Sequence, residues 1–543
     1  MDRRPLLRPA RRGGLALSVA LLAAALPPLA AQQSASVQPP TVDHVEIRRN
    51  SVFDADEASF FLLRAVNALH VTTREYVIRR ELLLRAGTPW DSARAAESAR
   101  NLRRLGVFRS VRVDSVRTDS GLVARVETRD GWSTRPDFRF RSTGGELDYT
   151  LALIEDNLLG TASQASVVYR SNPDRTTTVF GFRQPRLVAG RIGLNARWDN
   201  RSDGERLAVL VNQPFFRLES RNAWGLTAES RDERILRFGD GLELPVDSVF
   251  RRYGLLRADL AHALRASTAG YLRVGVAAQL RRDDVLPGPP LQGRPGVEQT
   301  TGAIGGWLEW RRARFDTVTG YNALSRTEDL DLSDVVRVGT WLAPAGLGYD
   351  ATGIGPEFLV QTGARFGSGF ARAAVYGNGV FTSAGLDSGS VQLQGTVAWL
   401  PGSRHLLVLH GTVGALERPI PGSEYDLGLG AGPRGFRQHA FTGDRMIFTT
   451  AEYRYALARD FLKVAEVGLA AFFDHGGAWY DGLGARTGWD AGIGLRLGAS
   501  RAPDLEANRL DLVYRSGNDR ESAGWVFVVA KGFAFASGLR GGQ

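Results

Sequence analysis

Two hydrophobic periods divide this chain. Between residues 42 and 130 the spacing of apolar positions switches from strand-like to helix-like and back. Val45 and Ile47 alternate with His44, Glu46 and Arg48, which predicts a half-buried strand over Val42 to Arg49. Beyond Thr73, the residues Val77, Ile78, Leu82 and Leu83 recur at helical spacing until Gly87 stops them. Asp91 is placed to cap a second helix that presents Ala95, Ala99, Leu102 and Leu105 and closes at Gly106. Val107 and Phe108 lead into a strand with Val111 and Val113. Ser120-Gly121 then turns the chain into another strand through Leu122, Val123 and Val126. The expectation is a small α/β unit in the order strand, helix, helix, strand, strand, with residues 51–70 inserted before its first helix.

From about residue 136 only the two-residue period remains. Ile192, Leu194, Ala196 and Trp198 alternate with Gly193, Asn195, Arg197 and Asp199. Val391, Leu393, Val397 and Trp399 alternate with Gln392, Gln394 and Thr396, and Trp489 to Leu497 repeats the pattern against Gly488, Asp490, Gly492, Gly494 and Arg496. One face apolar and often aromatic, the other polar, charged or glycine, over about 10 residues, is the signature of a strand between lipid and a polar lumen. Residues 136–535 span 400 positions, and at about 25 residues per strand and turn they predict an antiparallel barrel of about 16 strands. Pro287 to Pro290, Pro295-Gly296 and Pro419 to Gly422 mark long loops. After the N-terminal region no uninterrupted apolar run is long enough for a spanning helix, so membrane crossing requires a closed barrel.

Composition adds compartment and exclusions. Arg3 to Arg12 form a basic region, Leu15 to Leu26 an uncharged apolar one, and Leu29-Ala30-Ala31 a small-residue cut site. Residues 1–31 therefore read as an export signal, 32–41 as a Gln-, Ser- and Pro-rich linker, and 536–543 as a C-terminal tail. There is no cysteine, which removes disulfides, thiol nucleophiles and cysteine metal sites. The net charge of +10 is scattered among acids, so nucleic acid is not an expected partner. Seven histidines without paired metal spacing, and no Gly-x-Ser-x-Gly elbow, argue against an enzyme, a metal or another cofactor. On parity His475 faces outward. The alternatives are a water-soluble β-domain, a passive channel and a barrel lipase.

Particular residues carry a family resemblance. Val77 to Leu82, Ala86-Gly87 and Asn101 to Val111 resemble the consensus of the POTRA domain over residues 42–130. Glu155 to Gly160, Gln184-Pro185 and Gln213-Pro214-Phe215 resemble the opening strands of the BamA/TamA family of outer-membrane assembly barrels. A sharper match is Gly432-Pro433-Arg434-Gly435-Phe436-Arg437, similar to that family's Arg-Gly-aromatic loop tip, which folds into the lumen. Phe472-Phe473-Asp474-His475-Gly476 resembles its Phe-x-Asp-x-Gly strand, and the acid of the preceding strand maps to Glu452. The resemblance implies that Arg434, Gly435, Phe436, Glu452, Phe472, Asp474 and Gly476 lock the loop. Independently, parity puts Phe472, Asp474 and Gly476 opposite the apolar Val467, Leu469, Ala471 and Phe473, and Thr450, Glu452 and Arg454 opposite Ala451, Tyr453 and Tyr455, so that Asp474 and Glu452 should point inward. Trp525 to Phe535, with Gly532, Phe533 and Phe535, resembles the family's C-terminal strand signal, although the aromatic is not terminal. Lys531 shares the outward parity of Phe527 and Val529.

This resemblance implies insertion or translocation of unfolded outer-membrane or secreted proteins. The small unit would lie in the periplasm and the barrel in the outer membrane, alone or with periplasmic or lipoprotein accessories. Secretion of a dedicated partner is the nearest alternative; such secretors usually carry two POTRA units and a plug helix.

Overall fold

The computed structural model describes residues 40–53, 70–119, 121–143, 146–187, 191–238, 245–287, 297–419, 422–428, 431–501, 506–518 and 520–535. Residues 1–31, read above as an export signal, most of the expected linker, residues 54–69 of the expected insertion, the Pro-rich positions 288–290, 295–296 and 420–421, and residues 536–543 lie outside them.

The small unit contains β1 (Val42–Asn50), α1 (Glu75–Glu81), α2 (Ser92–Arg104), β2 (Phe108–Thr118) and β3 (Gly121–Asp130). Its sheet has the order β1-β3-β2, with β1 parallel and β2 antiparallel to β3. Both helices lay apolar stripes on the sheet: Val77, Ile78, Leu102, Leu105, Phe108 and Val126 form one buried cluster. The Asp91 carboxylate accepts from the backbone N–H groups of Ala93 and Arg94 at 2.9 and 3.1 Å, which satisfies two of the free donors at the start of α2. The first helix is shorter than its spacing suggests. It ends at Glu81, and Leu82 and Leu84 are buried beyond the helix, with Leu82 itself extended.

Strands from Thr134–Thr143 to Gly524–Lys531 form a closed antiparallel barrel of 20 strands, not about 16. The shortfall came from turn length. Ser202-Asp203, Thr268-Ala269, Gly367-Ser368 and Ser383-Ala384 are two-residue connections, so much less chain goes into loops than the allowance assumed. The outer wall exposes Leu153, Leu260, Ile304, Ile493, Trp525 and many more large apolar side chains. Leaving each in water rather than hydrocarbon costs about 1.5–3 kcal/mol, and a monomer in water rarely carries so broad an apolar surface. A belt of this extent requires lipid around it, and ring closure leaves no strand edge unpaired there.

Among the described residues, three segments enter the lumen. One is the loop of residues 418–444, whose strands Tyr425–Leu427 and Phe441–Gly443 pair as a hairpin. Another is the hairpin Phe315–Thr319 with Thr327–Asp331, inserted between two wall strands at the end that carries the small unit. Its tip reaches Glu466, which accepts from the backbone N–H of Leu324 at 2.9 Å and from the Ser325 hydroxyl. The third is Gly532–Phe535. The last strand stops at Lys531, because Gly532 adopts φ +72° and turns the chain inward. Phe533 and Phe535 are therefore not part of a C-terminal strand. Phe533 packs with Tyr321 and Phe370, and Phe535 stacks on His410 at 3.9 Å. Lys531 likewise does not face lipid: its side chain is 9% exposed and meets Asp137 of the first barrel strand at 3.5 Å.

Turns spread around the rim hold the small unit against the barrel. Arg186 grips the buried Glu81 with two 2.9 Å contacts. The Leu218 N–H donates to Glu97 at 2.7 Å, Asn157 donates to the Thr73 hydroxyl at 2.9 Å, and Ala162 belongs to the small unit's core. On the hairpin side, the Arg103 fork holds Asp329 at 2.9 and 2.6 Å, and Arg326 donates to the Phe108 carbonyl at 3.1 Å.

Candidate functional site

Strand register builds the site. In the wall strands Arg445–Phe461, Ala465–Trp479, Gly488–Ala499 and Asn508–Arg515, Thr450 pairs with Asp474, Asp474 with Asp490, and Asp490 with Arg515. Four inward polar side chains thus form one row across neighbouring strands, since facing residues on one side of a sheet stand side by side. Glu452 lies two residues from Thr450 on the same inward face, with Arg454 beyond it. Phe472, Asp474 and Glu452 are buried, whereas Leu469 and Phe473 are exposed, as parity required.

The tip of loop 418–444 lies along this row. Gly428, at φ +146°, permits the turn into the tip: a Cβ there would stand 2.0 Å from the Arg437 carbonyl. Arg434 is 1% exposed. Its Nε and Nη2 donate to the two Asp474 oxygens at 2.6 and 3.1 Å, and its Nη1 donates to Glu452 at 2.9 Å. The guanidinium lies 3.7 Å from the centre of the Phe472 ring, a cation–π contact. Thr450 donates to Asp474 Oδ1 at 2.6 Å, the oxygen that also accepts from Nη2. Such fork geometry belongs to arginine and not to lysine.

Gly435 continues the row. Its N–H donates to Asp490 at 2.8 Å and its carbonyl accepts from Arg515 at 3.3 Å. A Cβ on it would meet Arg515, Val513 and Asp490 at 3.1–3.2 Å, so the backbone lies against the wall. Phe436 is fully buried with Leu427, Ala440, Phe441 and Ala478. Its ring fills the space over Gly488, where a Cβ would stand 2.4 Å away. Gly476 packs under the Ile447 carbonyl and Phe448.

The charges continue beyond the residues marked by the sequence. Glu452 also accepts from Arg454 at 2.6 Å and Arg496 at 3.2 Å, and Arg496 donates to Asp511 at 2.5 Å. Arg454 bonds the Tyr321 and Asn322 carbonyls at 3.4 and 3.3 Å and lies 3.9 Å from the Phe533 ring centre. Loop, hairpin and C-terminal segment therefore meet at one pair of wall residues, Glu452 and Arg454. Asp490, Arg496 and Arg454 already stood on polar faces in the sequence. What joins them to Asp511 and Arg515 is cross-strand register, which a single sequence does not contain.

The loop has a second anchor. His439 bridges Asp174 at 3.0 Å and Asp426 at 2.6 Å and stacks on Phe238 at 3.6 Å. Burial opposes its charged form, but the two carboxylates prevail and hold the imidazole up at about 9.

Fold and site together define a membrane-spanning β-barrel whose lumenal loop is fastened to the wall by a buried arginine. No family model and no curated protein matches the sequence. Among solved structures, the chain is similar to BamA from Haemophilus ducreyi lacking POTRA domains 1–3, at 12% identity and TM-score 0.36, over 90% of this chain and 84% of that one. It is also similar to CdiB from Escherichia coli, at 11% identity and TM-score 0.46, over 91% and 76% of the two chains. CdiB from Acinetobacter baumannii matches at 10% and 0.46, over 91% and 74%.

Proposed function

We propose that this chain is an outer-membrane protein of the BamA/TamA type that inserts or translocates other proteins. Residues 1–31 direct export, and residues 42–130 act as a periplasmic POTRA domain. In this reading an unfolded client adds a strand to an open edge of the β1-β3-β2 sheet, where main-chain hydrogen bonding accepts many sequences. The client then passes to the barrel, whose loop the Arg434 clasp keeps in its working position. The observation that carries the reading is the clasp itself: Arg434 in a fork on Asp474, with Glu452 as the second acid.

Replacing the chromosomal gene with Arg434→Ala or Asp474→Ala tests this. The variants are expected to assemble in the membrane yet fail to support client assembly, as scored by outer-membrane proteomics. Wild-type client levels with both variants would refute the proposal.

A further inference from the structure

A cavity of about 620 Å³ lies where the small unit meets the barrel rim. Four arginines line it: Arg79, Arg80 and Arg85 from the small unit and Arg191 from the turn between two wall strands, with His44 beside them. Arg79 is matched by Glu75 at 2.5 Å. Arg80 lies over the Tyr76 ring at 4.8 Å and Arg191 over Phe216 at 3.0 Å. Neither of these two, nor Arg85, has a carboxylate within ion-pair distance among the described residues. The nearest buried acid, Glu81, is taken up by Arg186. Burial, with Arg186, Arg217 and Arg85 close by, presses the Arg191 guanidinium down to about 10, as expected of a cation held among cations.

The surroundings are apolar and exposed. Val71, Tyr76, Leu158, Leu159 and Leu187 stand out on the same part of the rim. Arg74 ties α1 to this rim by donating to the Leu159 carbonyl at 3.1 Å. The cavity therefore lies at the level where the hydrocarbon belt ends, between greasy side chains and unmatched guanidinium forks.

We infer that this cavity binds the phosphate of an anionic phospholipid headgroup, which seats the small unit on the membrane surface. The inference rests on the membrane-barrel reading above. Guanidinium forks match phosphate oxygens, and the flanking apolar side chains reach the acyl boundary, which a free anion would not need.

Native mass spectrometry of the full chain in detergent, with added phosphatidylglycerol or phosphatidylcholine, tests it. Wild type is expected to prefer phosphatidylglycerol. Each arginine contributes about fivefold, so an Arg85→Ala/Arg191→Ala chain should lose about 25-fold in phosphatidylglycerol affinity. The exposed Arg85→Gln alone should lose about fivefold, and retained heat-modifiable gel mobility shows that either variant is folded. Equal phosphatidylglycerol affinity in wild type and both variants overturns the inference. Complete displacement of the lipid by inorganic phosphate overturns the lipid assignment in favour of a free anion. A chain that cannot insert into phosphatidylcholine vesicles would instead refute the barrel reading, whatever its lipid preference in detergent.

Discussion

Replacing Arg434 with alanine removes the fork from Asp474 and one of three guanidinium contacts from Glu452. The loss falls unevenly. Glu452 keeps Arg454 and Arg496 at 2.6 and 3.2 Å, but Asp474 keeps only the Thr450 hydroxyl and the backbone N–H of residue 434, the latter at 3.4 Å, and lies opposite Asp490. Breaking a buried, hydrogen-bonded ion pair costs about 3–5 kcal/mol. Freeing a long side chain returns up to about 2 kcal/mol of rotamer entropy. The loop should thus be held more weakly by about 1–5 kcal/mol, which raises its open population roughly 5- to 5,000-fold. The chain has no cysteine, so a single Ala440→Cys, at a position 1% exposed in the loop, reports opening against no background. Thiol labelling should accelerate by that factor in Arg434→Ala. Arg434→Lys should fall between, because it restores the charge without the fork. Identical labelling of wild type and Arg434→Ala would refute the clasp, and identical behaviour of Lys and Arg would refute the need for a fork.

Further outcomes follow from the same geometry. Glu452→Gln should lower the thermal midpoint of the barrel, read by heat-modifiable gel mobility, more than Asp474→Asn does. Glu452 offsets three guanidiniums, whereas neutralising Asp474 also relieves its closeness to Asp490. Gly488→Ala should cost about 1–3 kcal/mol in the same assay, since its methyl group would collide with the buried Phe436 ring. Glu81→Gln, which weakens the grip on Arg186, should raise hydrogen exchange in α1 without altering exchange in the wall strands. His439 is raised above the usual histidine value, so its bridge is complete below about pH 6.5 and is lost as pH rises through about 9. A Gln438→Cys probe beside it should therefore label faster above pH 9, and the rise beyond the thiol's own ionisation should vanish in His439→Gln.

How much of this was legible in advance differs by element. The inward aim of Asp474 and Glu452 follows from parity alone, because a strand's side chains alternate strictly. The same rule misled past Lys531. Parity holds only while the backbone stays extended, and Gly532 ends that. Lys531 keeps its parity, but at the seam its flexible side chain reaches around to Asp137. The hairpin Phe315–Asp331 carries no distinguishing signal: two five-residue strands alternate like their neighbours, and nothing local says that they leave the wall. The strand number was underestimated because the tightest turns bear no distinctive motif beyond small or polar residues. Asp511 and Arg515 joined the site through register set by two neighbouring ladders.

The inward course of Phe533 has a consequence for the order of events during folding. Its ring is surrounded by Tyr321, Phe370, Leu406 and Val408, residues brought together only after much of the cylinder has formed. The last stretch of polypeptide therefore cannot find its native neighbours early, however soon local hairpins zip up. Seating of Phe533 becomes a late step, and a truncation before it should leave a finished cylinder that lacks only this part of its filling.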